Sequence, residues 1–276
     1  MRIINTIESI SDCFVDGQFK MSAWDKYVEE NHLNIKEICK EDIKNYNFDN
    51  DVLPVLNNVI KSKEKLTVLH NSFSACVDVL SNELSQLFAE EIDLDIILYL
   101  GLCNGAGWAT TIDDRNVILL GIEKIIELDW QDEVMMKSLI FHEIGHIWHN
   151  VCGNLNLQGS TQDDQSLVQL YQEGVAMRCE QLLIKNENFY HQDKNDWLTW
   201  CNSNFSSIKQ EYQRRIQNSE STQDFFGDWC NYKGYSDVGY YLGCRFIKFS
   251  ENHYTLSEII NLNIVEVKKL FDLFVI

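Results

Sequence analysis

Ser138-Leu139-Ile140-Phe141-His142-Glu143-Ile144-Gly145-His146-Ile147-Trp148-His149 decides how the rest of the chain is read. It lies within a stretch, 132–150, whose apolar residues recur at helical spacing. At about 100° per residue, His142 and His146 stand about 40° apart and one turn along the axis, so both imidazoles reach toward one point. Two histidines at that spacing can hold one metal ion, and zinc is the ion expected. Glu143 lies about 60° beyond His146 on the open side, where its carboxylate can take a proton from a metal-activated water without ligating the ion. Ile140, Phe141, Ile144, Ile147 and Trp148 form an apolar arc on the opposite face, which seats the helix on a core. That buried back disfavours the plainer reading of a surface helix with two hydrated histidines.

A catalytic zinc takes three protein ligands and keeps one position open. The close continuation used by metzincins needs Gly at 149 and His at 152, where this chain has His149 and Cys152. The other arrangement takes a glutamate from a second helix, and Gln172-Glu173-Gly174-Val175-Ala176 offers one 27 residues after His146. On that helix Tyr171, Val175 and Leu182 point to one side and Glu173 to the other. Glu180, two turns further along the same face, is a rival ligand, and Cys152 is a second. His149 either orients the site or caps the helix end, where the dipole favours a cation.

Outward from the motif, Ile92 to Leu100, Trp108 to Ile112 and Val117 to Ile122 read as three short strands. Asn104-Gly105-Ala106-Gly107 punctuates them. Gly105, Gly107 and Trp108 are candidate substrate-binding residues, since glycine lets an extended peptide backbone approach an edge strand closely. The alternative is a hairpin turn before a core strand with Trp108 packed inside. Further upstream, Phe73, Cys76, Val77, Leu80, Leu84, Leu87 and Phe88 form one stripe of a helix capped at Asn71 or Ser72, and Trp24 to Ile43 reads as another helix. Downstream, helical spacing covers 132–150, 164–185, 195–217, 237–250 and the end of the chain from Leu256. Helices, then a small sheet, then many helices predict a predominantly helical α+β fold. A seam near Lys61-Ser62-Lys63-Glu64-Lys65 would divide an N-terminal helical region, 1–65, from a main domain, 66–276, unless the two are continuous.

With 23 Lys and Arg against 42 Asp and Glu, the chain carries a net charge of −19, which disfavours nucleic acid and anionic membrane surfaces as partners. The 45% of hydrophobic residues supplies a sizeable core all the same. The first ten residues lack the apolar centre of a secretory signal. The longest uncharged run, between Asp95 and Asp113, is too polar and glycine-rich to span a bilayer. Nine cysteines with no C-x-x-C pair read as reduced, mostly buried thiols, so a cytoplasmic location is expected.

His142-Glu143-Ile144-Gly145-His146, followed by Glu173-Gly174-Val175-Ala176 and then by Gly239-Tyr240-Tyr241-Leu242-Gly243, resembles the gluzincin clan of zinc metallopeptidases. Within that clan the ordering is similar to a bacterial family of predicted zinc-dependent proteases. The resemblance covers roughly Leu94 to Phe249. It implies a zincin-like catalytic domain with a small sheet beside the motif helix. It also implies His142, His146 and Glu173 as Zn²⁺ ligands, Glu143 as general base, and a tyrosine, Tyr240 or Tyr241, as oxyanion donor. Tyr240 is favoured because Gly243, one turn on, would give its ring a small neighbour. The implied activity is hydrolysis of a peptide or protein substrate, the alternative being a zinc-binding regulatory or interaction module with weak or no catalysis. In one respect the chain departs from the pattern. Thermolysin-like members place an Asp four residues after the Glu ligand to hold a histidine, and here that position is Met177, so the support must come from elsewhere.

Overall fold

Leu94–Tyr99 is buried along its whole length, which is why its sequence is a nearly unbroken apolar run where a half-exposed strand would alternate. It is the fourth strand in chain order: β1 (Arg2–Asn5), β2 (Phe14–Val15), β3 (Gln18–Phe19), β4 (Leu94–Tyr99), β5 (Gly107–Ile112) and β6 (Arg115–Gly121). The computed structural model describes residues 1–87, 92–154, 157 and 161–276, and over these the chain is α+β and predominantly helical. The main sheet has the order β1-β4-β6-β5, with β4 parallel to both β1 and β6 and β5 antiparallel on the outer edge. Asp113 and Asp114, both at positive φ, close the β5–β6 hairpin. β2 and β3 pair separately.

The sequence predicts three strands, and the structure adds β1 to their sheet and the separate β2–β3 pair. Four residues that start Arg2-Ile3 carry too short a pattern to read, and their partner lies more than 90 residues away. Buried Asp95 in β4 marks the join. Arg115 and Arg2 bond it from either side, and the Arg115 contact first of all holds its carboxyl below the usual range.

The chain divides into two compact units, Met1–Glu143 and Ile144–Ile276. The first holds the sheet with α1 (Met21–Glu30), α2 (Lys36–Asp42), α3 (Leu53–Val59), α4 (Lys63–Leu87) and α5 (Ile122–Glu127). The stretch 61–65 lies inside this unit. The division between the two units falls within α6 (Glu133–Cys152), an unbroken helix carrying the His/Glu motif. The second unit is helical: α7 (Gln162–Ile184), α8 (Trp197–Ser203), α9 (Phe205–Gln217), α10 (Val238–Ser250), α11 (Leu256–Ile259) and α12 (Ile264–Val275).

Several helix boundaries differ from the sequence reading for local reasons. The helix expected over Trp24–Ile43 is two, because Asn31 folds its amide back onto the Tyr27 carbonyl (2.9 Å) and His32 takes a positive φ. The stretch 195–217 breaks at Asn204, whose amide donates to the Trp200 carbonyl. α4 starts at Lys63, so Asn71 and Ser72 are interior residues and not caps; Phe88 lies outside the described residues. Where caps are read from side chains the structure is orderly: Thr161 accepts from Asp164 N–H, and Thr255/Glu258 and Asn263/Glu266 form capping boxes.

Two close crossings fix the second unit around α7. A Cβ on Gly174 would stand 2.3 Å from the Gly243 carbonyl oxygen, and one on Gly243 would stand 2.5 Å from that of Leu170, so α7 and α10 touch glycine on glycine. A Cβ on Gly145 would lie 2.8 Å from Ala176 Cα, so α6 and α7 meet backbone to backbone. Tyr171, Val175, Cys179, Leu242, Phe246 and Phe271 are all buried in this unit.

All nine cysteines are free thiols, and Cys13, Cys39, Cys76, Cys179, Cys201 and Cys244 are buried. Burial pushes Cys39, Cys76, Cys179 and Cys201 up to about 12 and Cys244 up to about 11. Buried Glu123, at the start of α5, accepts N–H groups from Gly101 (2.8 Å) and Cys103 (2.9 Å). Even so, burial raises its carboxyl to about 7. No helix among the described residues is long and apolar enough to cross a membrane.

Candidate metal centre

On α6 the apolar arc is buried as expected, with Ile140, Phe141, Ile144, Ile147 and Trp148 all in the core. The polar face then follows from helix geometry: His142 and His146 project from one side, one turn apart. Gly145 sits between them and lets α7 approach, which brings Glu173 opposite. His146 Nε2 and Glu173 Oε2 are 3.3 Å apart. Ligand atoms of His142, His146 and Glu173 all lie within 4.8 Å of one another. Two imidazoles and a carboxylate form the mixed nitrogen and oxygen donor set that suits a borderline cation such as zinc. The set is graded in exposure. His142 is buried, whereas the side chains of His146 and Glu173 remain 18% and 20% exposed, so the centre opens on their side.

Glu143 is buried next to strand β5. A Cβ on Gly107 would stand 2.4 Å from Glu143 Oε1 and 2.8 Å from Leu139 Cδ1. A side chain at Gly107 would therefore push the carboxylate from its place, which gives this glycine a role distinct from the substrate contact read from sequence. Gly105, at φ +155°, shapes the approach to the strand. Trp108 is half-buried on β5, which forms the outer edge of the sheet.

A second cluster sits further along α7. Ligand atoms of His142, Glu180 and His191 also lie within 4.8 Å of one another, and all three residues are buried. After α7 ends at Ile184, with Lys185 capping it in the left-handed region, Gln181 donates to the Phe189 carbonyl (2.9 Å) and folds the chain back along the helix. His191 Nδ1 then donates to Glu180, 3.0 Å from both oxygens. Its Nε2 is 2.8 Å from the Gln192 amide, which in turn lies 3.8 Å from Met177 Sδ. Sequence reasoning names Glu180 only as a rival ligand and does not single out His191. That histidine lies in an irregular segment with no periodicity to mark it, and only the reversal after Lys185 brings it to α7.

The two tyrosines separate clearly. Tyr241 is buried against Tyr190, Trp197 and Phe205, and its hydroxyl donates to Asn202 Oδ1 (2.9 Å). Burial pushes that hydroxyl up to about 12. Tyr240 is half-buried between Phe226 (5.6 Å between ring centroids) and His191 (6.3 Å). Gly243 serves the α7–α10 crossing.

His149 does not cap the helix. α6 runs on to Cys152, and His149 is fully buried edge-on to Tyr171 (5.2 Å, 77°). Burial first, and the neighbouring His146 second, lower its ring to about 3, so it is a neutral core residue. Cys152 belongs to neither of the metal-holding groups found among the described residues.

No family model, curated protein or solved structure matches this chain. What the centre does chemically rests on its own residues.

Proposed function

We propose that the protein is a zinc-dependent peptidase of gluzincin type, acting in the cytoplasm on a peptide or protein substrate. The convergence of His142, His146 and Glu173 within 4.8 Å supports this reading above all else. Those three side chains would hold Zn²⁺, which when bound supplies Lewis acidity for attack of water on a carbonyl. Glu143, one residue after His142 and packed against Gly107, takes the proton of the attacking water and passes it to the leaving amine. β5, as the edge strand, offers its free side to an extended substrate backbone next to that carboxylate. Tyr240 supplies the hydroxyl that stabilises the developing oxyanion.

Elemental analysis and a peptide library together test the proposal. Wild type should carry one zinc per chain, which His146→Ala and Glu173→Ala should lose. Glu143→Gln should keep the zinc and lose hydrolysis, because an amide of the same size cannot accept the proton. Near-zero zinc in wild type would end the metal reading. Unchanged turnover in Glu143→Gln would remove the proposed base.

A further inference from the structure

We infer that Glu180, clamped from behind by His191, is the carboxylate that orients the metal ligand His142, and so is a positioning residue of the centre. The inference rests on the zinc reading above and deepens it. A metal-bound histidine needs its second ring nitrogen held, usually by a carboxylate, so that ring angle and tautomer are fixed. Glu173 and Glu180 are seven residues apart on α7, about 20° from alignment, so both face the same side two turns apart. Met177, between them on that face, carries no charge and packs against Gln192.

Glu180 has the surroundings of a support and not of a ligand. Its side chain is 0% exposed, while the ligand Glu173 stands at the open side. Both of its oxygens already lie 3.0 Å from His191 Nδ1, and Gln192 fixes the far side of that ring. The bond to His191 holds that carboxylate in place in a dry environment, where an acceptor left without its donor is costly. As a support it keeps that bond and faces His142, whose ligand atom lies within 4.8 Å.

Zinc affinity, measured by competition with a chromogenic chelator, and the visible spectrum of cobalt-loaded protein test this without recourse to activity. Glu180→Gln keeps the shape and should still bind one zinc, with affinity weakened about 10–100-fold. The cobalt bands should shift, and the melting temperature of metal-free protein should stay near wild type. Wild-type affinity and an unaltered cobalt spectrum in Glu180→Gln would overturn the positioning role and leave the zinc reading intact. Two zinc ions per wild-type chain would make Glu180 and His191 ligands of a second ion, which also overturns it. A wild type that binds no zinc brings down both. Should Glu180→Gln fail to fold, His191→Asn removes the clamp and should weaken zinc in the same direction, and an unchanged affinity there refutes the proposal.

Discussion

Gly145→Ala tests whether helix approach sets the metal geometry. The added Cβ would meet Ala176 Cα at 2.8 Å and Cys179 Cβ at 3.0 Å, against about 3.4 Å for ordinary contact. Backbone cannot rotate away as a side chain can, so α7 must retreat by about 0.6 Å at this crossing. Glu173 rides on α7 three residues before Ala176, whereas His146 rides on α6. A metal site tolerates ligand displacements of roughly 0.2 Å, so zinc should bind at least about tenfold more weakly, equivalent to about 1.4 kcal/mol. Stability responds less. Overpacking costs roughly 1–3 kcal/mol, and replacing a helical glycine with alanine returns roughly 1 kcal/mol. Metal-free protein should therefore melt at most about 8 °C lower. Isothermal titration with zinc and thermal melts of the metal-free protein give the two numbers. Unchanged zinc affinity combined with an equal or higher melting temperature would refute the claim that Gly145 holds the ligands in register.

Gly107→Ala should displace the Glu143 carboxylate, so hydrolysis should fall on the order of 10²-fold while zinc content stays at wild-type level; turnover and elemental analysis on the same sample decide it. Tyr240→Phe should lower kcat on the order of 10²-fold with zinc and KM little changed. Tyr241→Phe should leave kcat alone and cost about 1 kcal/mol in urea denaturation through loss of the bond to Asn202. Glu123 sets a pH dependence. Between its ordinary value near 4.5 and about 7 the folded chain holds a proton that the unfolded chain releases, so stability declines as pH rises through that window. The decline amounts to about 3 kcal/mol, and Glu123→Gln should remove the slope when denaturation is followed from pH 4.5 to 8.

Much of the centre is legible in the sequence because it is built from helical spacing. His142, Glu143 and His146 lie within one and a half turns of a helix, and Glu173 lies on the next helix with a consistent face, so periodicity alone carries their directions. Glu180 is visible for the same reason, as a second carboxylate on that face. His191 is not, since its place depends on a chain reversal that no periodicity announces. β1 escapes notice because a four-residue strand is defined by its partner and not by its own pattern. Gly174 and Gly243 are seen in sequence as pieces of motifs, yet their physical task is the α7–α10 crossing, which needs both helices in view at once. His149 is misread as a cap because its place near the helix end does not reveal its burial against Tyr171.

The buried cysteines make the protein its own reporter of opening. Cys13, Cys39 and Cys76 lie in the first unit, and Cys179, Cys201 and Cys244 in the second. Thiols held far above neutral pH and out of solvent are almost inert to alkylating reagents until the structure around them opens. Each label acquired under native conditions therefore timestamps an excursion of a known region, three sites to each half. Peptide mapping of partly alkylated protein would rank the two halves by how readily they open. Repeating it with zinc added would test whether the proposed ion protects the second half.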